Sequence, residues 1–536
     1  PTAFWNKEDP IHFATWFNLA RHFDFIFTTD NDCVPLYRTL MRRERVQFLP
    51  FASPARMLTP FAKYRREKKF CFAGSYYARQ KERQEDFDRM MEPMEAIGDI
   101  VIYDRETYPG NPDYMFPERY RRYIAGSLPI DRIDVAYKQY EFGVTLNTIK
   151  YSSGMFARRA FELFTCGTAV VSNPCRGLKV MFGDLVIMDD DPARFRSKLE
   201  AAWNDDAHRR KVVLQALRKT LREHTYTDRV DFIFRTLFGH GLVRPLPSVC
   251  VFARLPRPEA VEAFLENLAR QETQPADALL LCPSHAVEAV RSALAAALGE
   301  ETGTSGPRMT VRSEEGLAPG FLEGLSRADG FACMDPANYY GRHYLTDLVL
   351  ATRLDTVPVL GKEAFYRWTE SGPAYEEGRG RYRYVDSLRL DRCLFARHLS
   401  ILVTPDLLQD SDPVLEGPAC LTLDEFNFCK GLSGDTSSCP EADGPDLDEG
   451  AALSDMVRDC LRSGPDVVGE KVRIPWRSLA QSVKPPATAR IREEEGCFSL
   501  TSRSVAQHRI PLELRLDPET AMDGHRRISI HPEGLS

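Results

Sequence analysis

The chain has 536 residues, 43% apolar and 27% charged, with 33 Gly and 36 Pro, a globular composition that excludes a wholly disordered, collagenous or disulfide-stapled protein. At roughly 100–200 residues per domain the length accommodates about three or four domains, each able to bury its own core. The 70 Lys and Arg against 77 Asp and Glu leave a formal charge of −7, which argues against a bulk polycation clamped on nucleic acid.

From residue 1 to about 240, short β-rich runs alternate with helical ones. Ala3-Phe4-Trp5, Phe25-Ile26-Phe27, Val46-Gln47-Phe48, Phe70-Cys71-Phe72, Ile100-Val101-Ile102, Val144-Thr145-Leu146, Ala169-Val170-Val171 and Leu185-Val186-Ile187 read as strands. Amphipathic stretches such as 11–22, 78–96 and 155–165 lie between them, and this alternation predicts parallel sheets with crossover helices. In such sheets ligands sit at the carboxyl ends of the strands. About three strands precede Leu49-Pro50-Phe51-Ala52 and a full sheet follows it, which reads as part of one domain (1–65) and one complete domain (66–240). The chain opens on Pro1 without Met, already inside a strand pattern, so a truncated N-terminus is expected.

A second α/β unit is predicted over 247–403. It has strands at 248–253, 278–282, 308–312 and 330–334, helices at 258–271, 285–298 and 320–328, and a further helix after Arg342. Residues 404–450 hold twelve acids and one lysine, Lys430, with many Ser, Gly and Pro, and read as a solvated, partly disordered acidic linker. The tail 451–536 offers one helix (451–462) and short β-like runs at 472–476, 496–501 and 509–515, without an assignable role. No run approaches the roughly 18 consecutive apolar residues of a membrane span, and no secretory leader pattern opens the chain, so a cytoplasmic protein without a transmembrane segment is expected. The thirteen cysteines include no C-x-x-C pair and no His spaced for zinc, and read as buried reduced thiols.

Two segments carry chemistry. Phe72-Ala73-Gly74-Ser75 sets a glycine directly after a strand, and Arg79, Lys81 and Arg83 open the next helix. Gly74 would let backbone approach a phosphate, and the helix start with Lys81 or Arg83 would neutralise it; a plain glycine turn before a solvated helix face reads equally well. Asn147 to Asn173 reads strand, polar loop, helix, glycine stop, strand, polar loop, with Glu162 on the helix one turn after Arg158 and Arg159. A carboxylate there can accept both hydroxyls of a ribose, or simply pair with Arg158 at i, i+4.

This second pattern resembles the donor-binding half of GT-B glycosyltransferases, where a Glu-bearing helix precedes "G-x-x-V-V-S" and a loop over the nucleotide. It resembles still more the CgeB-type, spore-maturation glycosyltransferase-like proteins, on Phe4-Trp5-Asn6-Lys7-Glu8-Asp9-Pro10, Leu49-Pro50-Phe51-Ala52, Phe72-Ala73-Gly74-Ser75 with Glu82-Arg83, and Met155-Phe156-Ala157-Arg158-Arg159 through Ser172. The resemblance spans about 1–240. It implies two Rossmann-like domains of GT-B type, the first of them cut short, holding a nucleotide-diphospho-sugar donor without a required cofactor. By the same resemblance Glu162 is the ribose acid, Gly74 with Lys81 or Arg83 the pyrophosphate cradle, and Asn173 to Gly177, including Arg176, the loop facing the donor. Asn147, Ser153 and Arg159 join the donor-binding set. Many retaining members carry a second acid eight residues before the ribose acid, and Gly154 stands there.

Glu8, after the first strand, is the first candidate for a general base toward an acceptor hydroxyl, and Asp30 is the second. Asp9, followed by Pro10, reads as a helix N-cap with proline at the first helical position. In the second unit, Ala328-Asp329-Gly330 through Asp335 and Tyr339-Tyr340-Gly341 resembles a GT-A domain whose acidic metal motif has degenerated, because Cys333 and Met334 replace its first acids. A lone Asp335 makes a poor site for a hard divalent cation, so no metal is expected there.

The expected function is sugar transfer from a nucleotide-diphospho-sugar to a glycan or other hydroxyl acceptor of the cell envelope or surface, with no nucleic-acid partner. The alternatives are a nucleotide-sugar 2-epimerase on the same fold and a non-catalytic glycan- or nucleotide-binding scaffold. Local charge sharpens the overall −7: residues 1–65 and 66–240 each sum to +3, a bias that suits an anionic donor, while 404–450 sums to −11.

Overall fold

The computed structural model describes residues 1–42, 44–106, 111–298, 306–431 and 444–462, together with five short strands between 471 and 531. Three strands, β1 (Ala3–Asn6), β2 (Phe25–Thr28) and β3 (Val46–Phe48), pair in parallel in that order and are linked by α1 (Phe13–Ala20) and α2 (Cys33–Met41). A five-stranded parallel sheet follows. Its strands β4 (Glu67–Gly74), β5 (Ile100–Asp104), β6 (Ile124–Gly126), β7 (Tyr140–Thr145) and β8 (Ala169–Ser172) stand in the order β6-β5-β4-β7-β8. Its helices are α3 (Lys81–Ile97), α4 (Asp134–Lys138), α5 (Arg159–Thr165), α6 (Arg176–Phe182), α7 (Pro192–Asn204), α8 (Asp206–Glu223) and α9 (Tyr226–Phe238).

The apolar runs that predicted these strands are covered on both faces, as a parallel sheet requires. Along β4, Phe70 and Phe72 enter one core while Cys71 and Ala73 enter the other. The chain lays β5 and β6 on one side of β4, then returns to place β7 and β8 on the other. That reversal opens a crevice at the carboxyl ends of β4 and β7. The expected strand at Leu185-Val186-Ile187 is instead a 3₁₀ turn over Gly183–Leu185, with Ile187 making a single bridge to Val171. Just before the run the Asp184 N–H donates to the Asp448 carbonyl at 2.6 Å, while the Ile187 N–H donates to Val170 O at 2.9 Å and its carbonyl accepts from the Ser172 N–H at 3.0 Å.

Helix α9 joins the two sheets. A capping box of Thr225 and Asp228 starts it and Gly239, at φ 79°, stops it. The fully buried Arg229 donates to the carbonyls of Pro50 and Phe51, each at 2.9 Å, and of Glu223 at 2.8 Å. Ser53 pairs with Thr225 in a parallel bridge alongside.

The second unit follows its predicted order through β9 (Val249–Arg254), α10 (Ala260–Arg270), β10 (Asp277–Cys282), α11 (Val287–Leu298), β11 (Arg308–Ser313), α12 (Phe321–Leu325), β12 (Gly330–Cys333), β13 (Tyr339–Tyr340) and α13 (Tyr344–Ala351). The chain continues with β14 (Val359–Gly361), β15 (Phe365–Thr369), β16 (Gly372–Glu376), β17 (Tyr384–Arg389), β18 (Cys393–Ala396), α14 (Pro405–Gln409), β19 (Val414–Thr422) and β20 (Phe428–Lys430). One mixed sheet has the order β11-β10-β9-β12-β18-β14-β19-β17, and a smaller one β13-β20-β15-β16.

The unit therefore does not end near 403, and 404–431 is no solvated linker. Strand β19 lies inside the eight-stranded sheet, and Leu421, Leu423, Phe426 and Phe428 are core residues. Two of the acids are buried countercharges: Asp424 meets Lys362 at 2.7 Å, and Glu425 meets Arg210 at 2.6 Å and Arg381 at 2.9 Å. Residues 432–443, also in the expected linker, lie outside the described residues. Beyond them 444–452 packs against the first unit and leads into α15 (Leu453–Arg462). The β-like runs expected in the tail overlap the strands Lys471–Arg473, Cys497–Ser502 and Glu513–Asp517, and their remaining residues lie outside the described ones. Eleven cysteine side chains are described, none of them in a disulfide and ten of them buried. Among the described residues no helix is long and apolar enough to cross a membrane.

Candidate functional site

Strand β4 ends at Gly74, and the next loop is pinned to the loop after β5 by Tyr76 N–H to Tyr114 O (3.0 Å) and Ala78 N–H to Asp113 O (2.7 Å). Two guanidinium groups converge on this end. A Cβ on Gly74 would lie 3.3 Å from Arg159 Nη2 and 3.1 Å from Phe72 Cζ, so only glycine leaves that approach unhindered. Arg159, at the start of α5, lies over the Phe72 ring at 5.5 Å. Arg83, one turn into α3, donates through Nη1 to Leu146 O (2.8 Å) and Thr148 Oγ1 (3.1 Å) and stacks on Tyr77 at 4.6 Å.

Burial pushes Arg83 down to about 10, and the Arg159 charge works in the same direction. Among the described residues, Arg83 Nε, Arg159 Nε and the Ser75 hydroxyl are buried without a hydrogen-bond partner. Unmet buried donors cost about 1–3 kcal/mol each, and two like charges add repulsion. A bound anion would offset all three penalties. Sequence reading named Gly74, Arg83 and Arg159 but missed Ser75, which directly follows the glycine. Lys81, the other predicted phosphate partner, is exposed at the helix start.

Asn147 and Asn173 sit deeper. The Asn173 Oδ1 accepts the Asn147 N–H at 2.7 Å, its Nδ2 donates to Asp86 Oδ2 at 2.9 Å, and Asn147 Nδ2 donates to Ser172 Oγ at 2.9 Å. Lys150 pairs with Asp86 at 3.0 Å and Glu82 at 2.6 Å. This network fixes the loops after β7 and β8 against α3, so both asparagines position the crevice with side chains that are already engaged. Arg176 is exposed. Gly177 admits α6 close to its neighbours, since a Cβ would lie 3.0 Å from Phe156 Cδ1 and 3.2 Å from Ser152 O.

Glu162 is buried on α5. Its Oε1 takes Arg158 Nε at 2.8 Å, the i, i+4 pair, and its Oε2 accepts the Tyr137 hydroxyl at 2.9 Å. Each carboxylate oxygen retains a second lone pair, so two hydroxyls can still be accepted. Tyr137, which sequence reading missed, fixes the orientation of this carboxylate.

The first sheet supplies the facing wall. Asp30, after β2, is fully buried; its Oδ1 accepts the Asp32 N–H at 2.9 Å and its Oδ2 makes no hydrogen bond of normal geometry. Burial, with the Asp32 charge beside it, holds Asp30 well above the usual carboxylate range, and the Ser152 hydroxyl of the facing loop offsets part of this. Glu8 is exposed, with its backbone N–H on Asn6 Oδ1. Asp9 is not an N-cap: α1 begins four residues later, after His12. Its carboxyl is instead buried, accepting Asn6 Nδ2 and the Thr28 hydroxyl, each at 2.7 Å, and burial pushes it up to about 7.

The walls touch where Ser153 Oγ donates to Asn31 Oδ1 at 2.7 Å. Ser153 is thus an inter-sheet contact. A Cβ on Gly154 would fall 2.4 Å from Phe48 Cε2 and 2.9 Å from Asn31 Oδ1, which leaves no room for an acid at that position. In the second unit Asp335 lies in a turn, its Oδ1 accepting the Ala337 N–H at 2.9 Å. Among the described residues no three His, Cys, Asp or Glu side chains are grouped to hold a metal.

Residues 79–235, which include Arg83, Arg159 and Glu162, match the profile of a glycosyl transferase-like family. Among solved structures, the chain is similar to sucrose-phosphate synthase from Thermosynechococcus elongatus (15% identity, 42% of this chain and 62% of that one, TM-score 0.32). It is also similar to a mutant of S. aureus TarM in complex with Fondaparinux, alpha-GlcNAc-glycerol and UDP (11%, 41% and 45%, 0.30). A third is S. aureus TarS 1–349 in complex with UDP-GlcNAc (12%, 35% and 60%, 0.25). The chain spans less than two thirds of each of these structures. No curated protein sequence matches it.

Proposed function

We propose that this chain is a GT-B glycosyltransferase that takes a nucleotide-diphospho-sugar and delivers its sugar to an acceptor hydroxyl, in cell-envelope or surface glycan synthesis. The observation that carries the reading is the placement of Arg159 against the glycine that ends β4 and of Arg83 against the loop that follows it, each with an unmet buried Nε. Two guanidiniums held together against their repulsion suit a diphosphate, and preorganised positive charge stabilises that group as it departs. Glu162 accepts the ribose hydroxyls. Asp30 replaces Glu8 as first candidate for the base, because its raised affinity for a proton and its place on the wall facing the donor side suit abstraction from an acceptor. The acceptor oxygen forms the new bond to the anomeric carbon as the bond to the diphosphate breaks; the hydroxyl proton goes to Asp30 and the electron pair leaves with the diphosphate. The CgeB-type assignment and a degenerate GT-A-like second unit form part of the same reading, supported by the parallel β11-β10-β9-β12 half of its sheet.

A thermal-shift panel of nucleotides and nucleotide sugars on the full chain tests it. A ligand at 100 times its dissociation constant stabilises by about 2.7 kcal/mol, and the donor so found should be consumed in the presence of an acceptor. Binding to no nucleotide would overturn the reading. Should Glu162→Ala bind UDP and GDP as tightly as the parent, the ribose role is wrong. A non-catalytic binder is the second reading, favoured by the packing of Phe48 on Gly154 where an acid would stand; it predicts binding without consumption.

A further inference from the structure

Besides the Ser153–Asn31 contact, the Thr165–Ser53 hydrogen bond at 2.6 Å and the packing of Phe48 on Gly154, two junctions of different depth join the two sheets among the described residues. The first junction is the Arg229 and Ser53–Thr225 contact, fully buried and hydrogen-bonded through backbone carbonyls. The second is made by residues 444–462, which return from the far unit. They are tied to the five-stranded unit by Gln215 Nε2 to Pro445 O (2.6 Å), Ala451 N–H to Val180 O (2.7 Å), Lys219 Nζ to Ala451 O (3.1 Å) and Leu453 N–H to Glu223 Oε2 (2.7 Å).

Helix α15 then crosses to the first sheet. Leu453, Met456, Val457 and Cys460 recur at helical spacing on one face, and all pack on the core that holds Val46 and Phe48 of β3 together with Phe156, Leu178 and Met181 of the other sheet's unit. Met456 is buried and the other three are half-buried. At the far end Arg38 Nη1 reaches Cys460 O at 3.4 Å, and the Cys460 thiol lies beside Asn31 and Asp32, the two side chains that receive Ser153 across the cleft.

We propose that α15 is a releasable clasp on the cleft. Its seat spans both walls beside the Asn31–Ser153 contact, while the Arg229 junction acts as the permanent hinge. Detaching α15 lets the Asn31–Asp32 loop part from the Ser152–Gly154 loop without unfolding either sheet, because among its described residues one buried side chain, three half-buried ones on the shared core and a few edge hydrogen bonds hold it. The proposal goes beyond the transferase reading and stands whether or not that reading does.

Native-state hydrogen exchange on the full chain tests it. Amides of 455–460, of Cys33 and Val34, and of 154–157 should share one opening event, at least tenfold faster than that of 229–235 in α9. Met456→Asp, and as a milder change Glu223→Ala, should accelerate exchange at Cys33, Val34 and 154–157 together with α15, leaving 229–235 unchanged. The proposal is overturned if α15 in the parent exchanges only with α9. It is equally overturned if, in either variant, α15 speeds up while the two loops do not.

Discussion

The Arg218 guanidinium and the Asp347 carboxylate form a fully buried two-point pair, Nε to Oδ1 at 2.7 Å and Nη2 to Oδ2 at 3.1 Å, between α8 of the first unit and α13 of the second. Asn427 adds a third hydrogen bond to Asp347 at 3.1 Å. Despite burial, the neighbouring Arg218 charge holds Asp347 below the usual carboxylate range. Leu214, Leu217 and Leu221 of α8 belong to the core of the second unit, so the pair sits inside a shared apolar seam. Arg218→Met should cost about 3–5 kcal/mol by leaving Asp347 charged and unpaired, whereas replacing both residues by apolar ones should recover much of it. Denaturant unfolding of both variants measures this; equal losses in the single and the double variant would refute it.

Arg83 and Arg159 should behave in the opposite way. Arg159→Met removes a repelling charge with an unmet donor, so the unliganded protein should melt no lower than the parent. Affinity for UDP should fall about 10- to 100-fold, the worth of a charge-assisted hydrogen bond of roughly 1.5–3 kcal/mol. Calorimetry with a parallel melting curve reads both. A lower melting point with unchanged UDP affinity would make Arg159 a structural residue only.

Asp9 should make stability pH-dependent. Its folded-state affinity for a proton is raised, so the stabilisation it contributes is complete below its ordinary value of 3.8 and is lost as pH rises through about 7. Asp9→Asn mimics the neutral form. Relative to the parent it should therefore gain about 1–4 kcal/mol between pH 4 and pH 8, and urea unfolding at the two pH values that gave a constant difference would exclude the idea.

Gly154→Ala should destabilise by about 1–3 kcal/mol, because the added Cβ meets the Phe48 ring at 2.4 Å. Phe48→Leu in the same chain should relieve part of that cost, giving a negative coupling in a double-mutant cycle. Additive effects would mean that the loop moves aside freely.

Much of the fold was legible because its signals are local. The strand–glycine–helix step at Gly74 and the strand–loop–helix–strand run from Val144 to Ser172 place hydrophobic period, turn glycine and helix within a few residues of one another. Leu185-Val186-Ile187 has strand composition, yet the chain leading into it is drawn into a 3₁₀ turn whose Asp184 N–H meets Asp448 O, some 260 residues away, and only Ile187 pairs with β8; no local pattern reports this. Residues 404–431 were misjudged for a related reason: a charge sum over 47 residues hid the apolar run of β19 and β20, and could not show that Asp424 and Glu425 face Lys362, Arg210 and Arg381.

The candidate site divides along the same line. Sequence alone placed Gly74 at a strand end, Arg83 and Arg159 near the starts of the helices that follow strands, and Glu162 within the second of those helices, on the side of a parallel sheet where ligands bind. Only tertiary structure decided what each does there. Asn147 and Asn173 were consumed by a buried network, Asp9 was withdrawn from a helix cap into the core, and Gly154 was held to a single hydrogen by Phe48. Composition and period report which residues leave water, but hydrogen-bond partners and steric limits are set by segments that only the folded chain brings together.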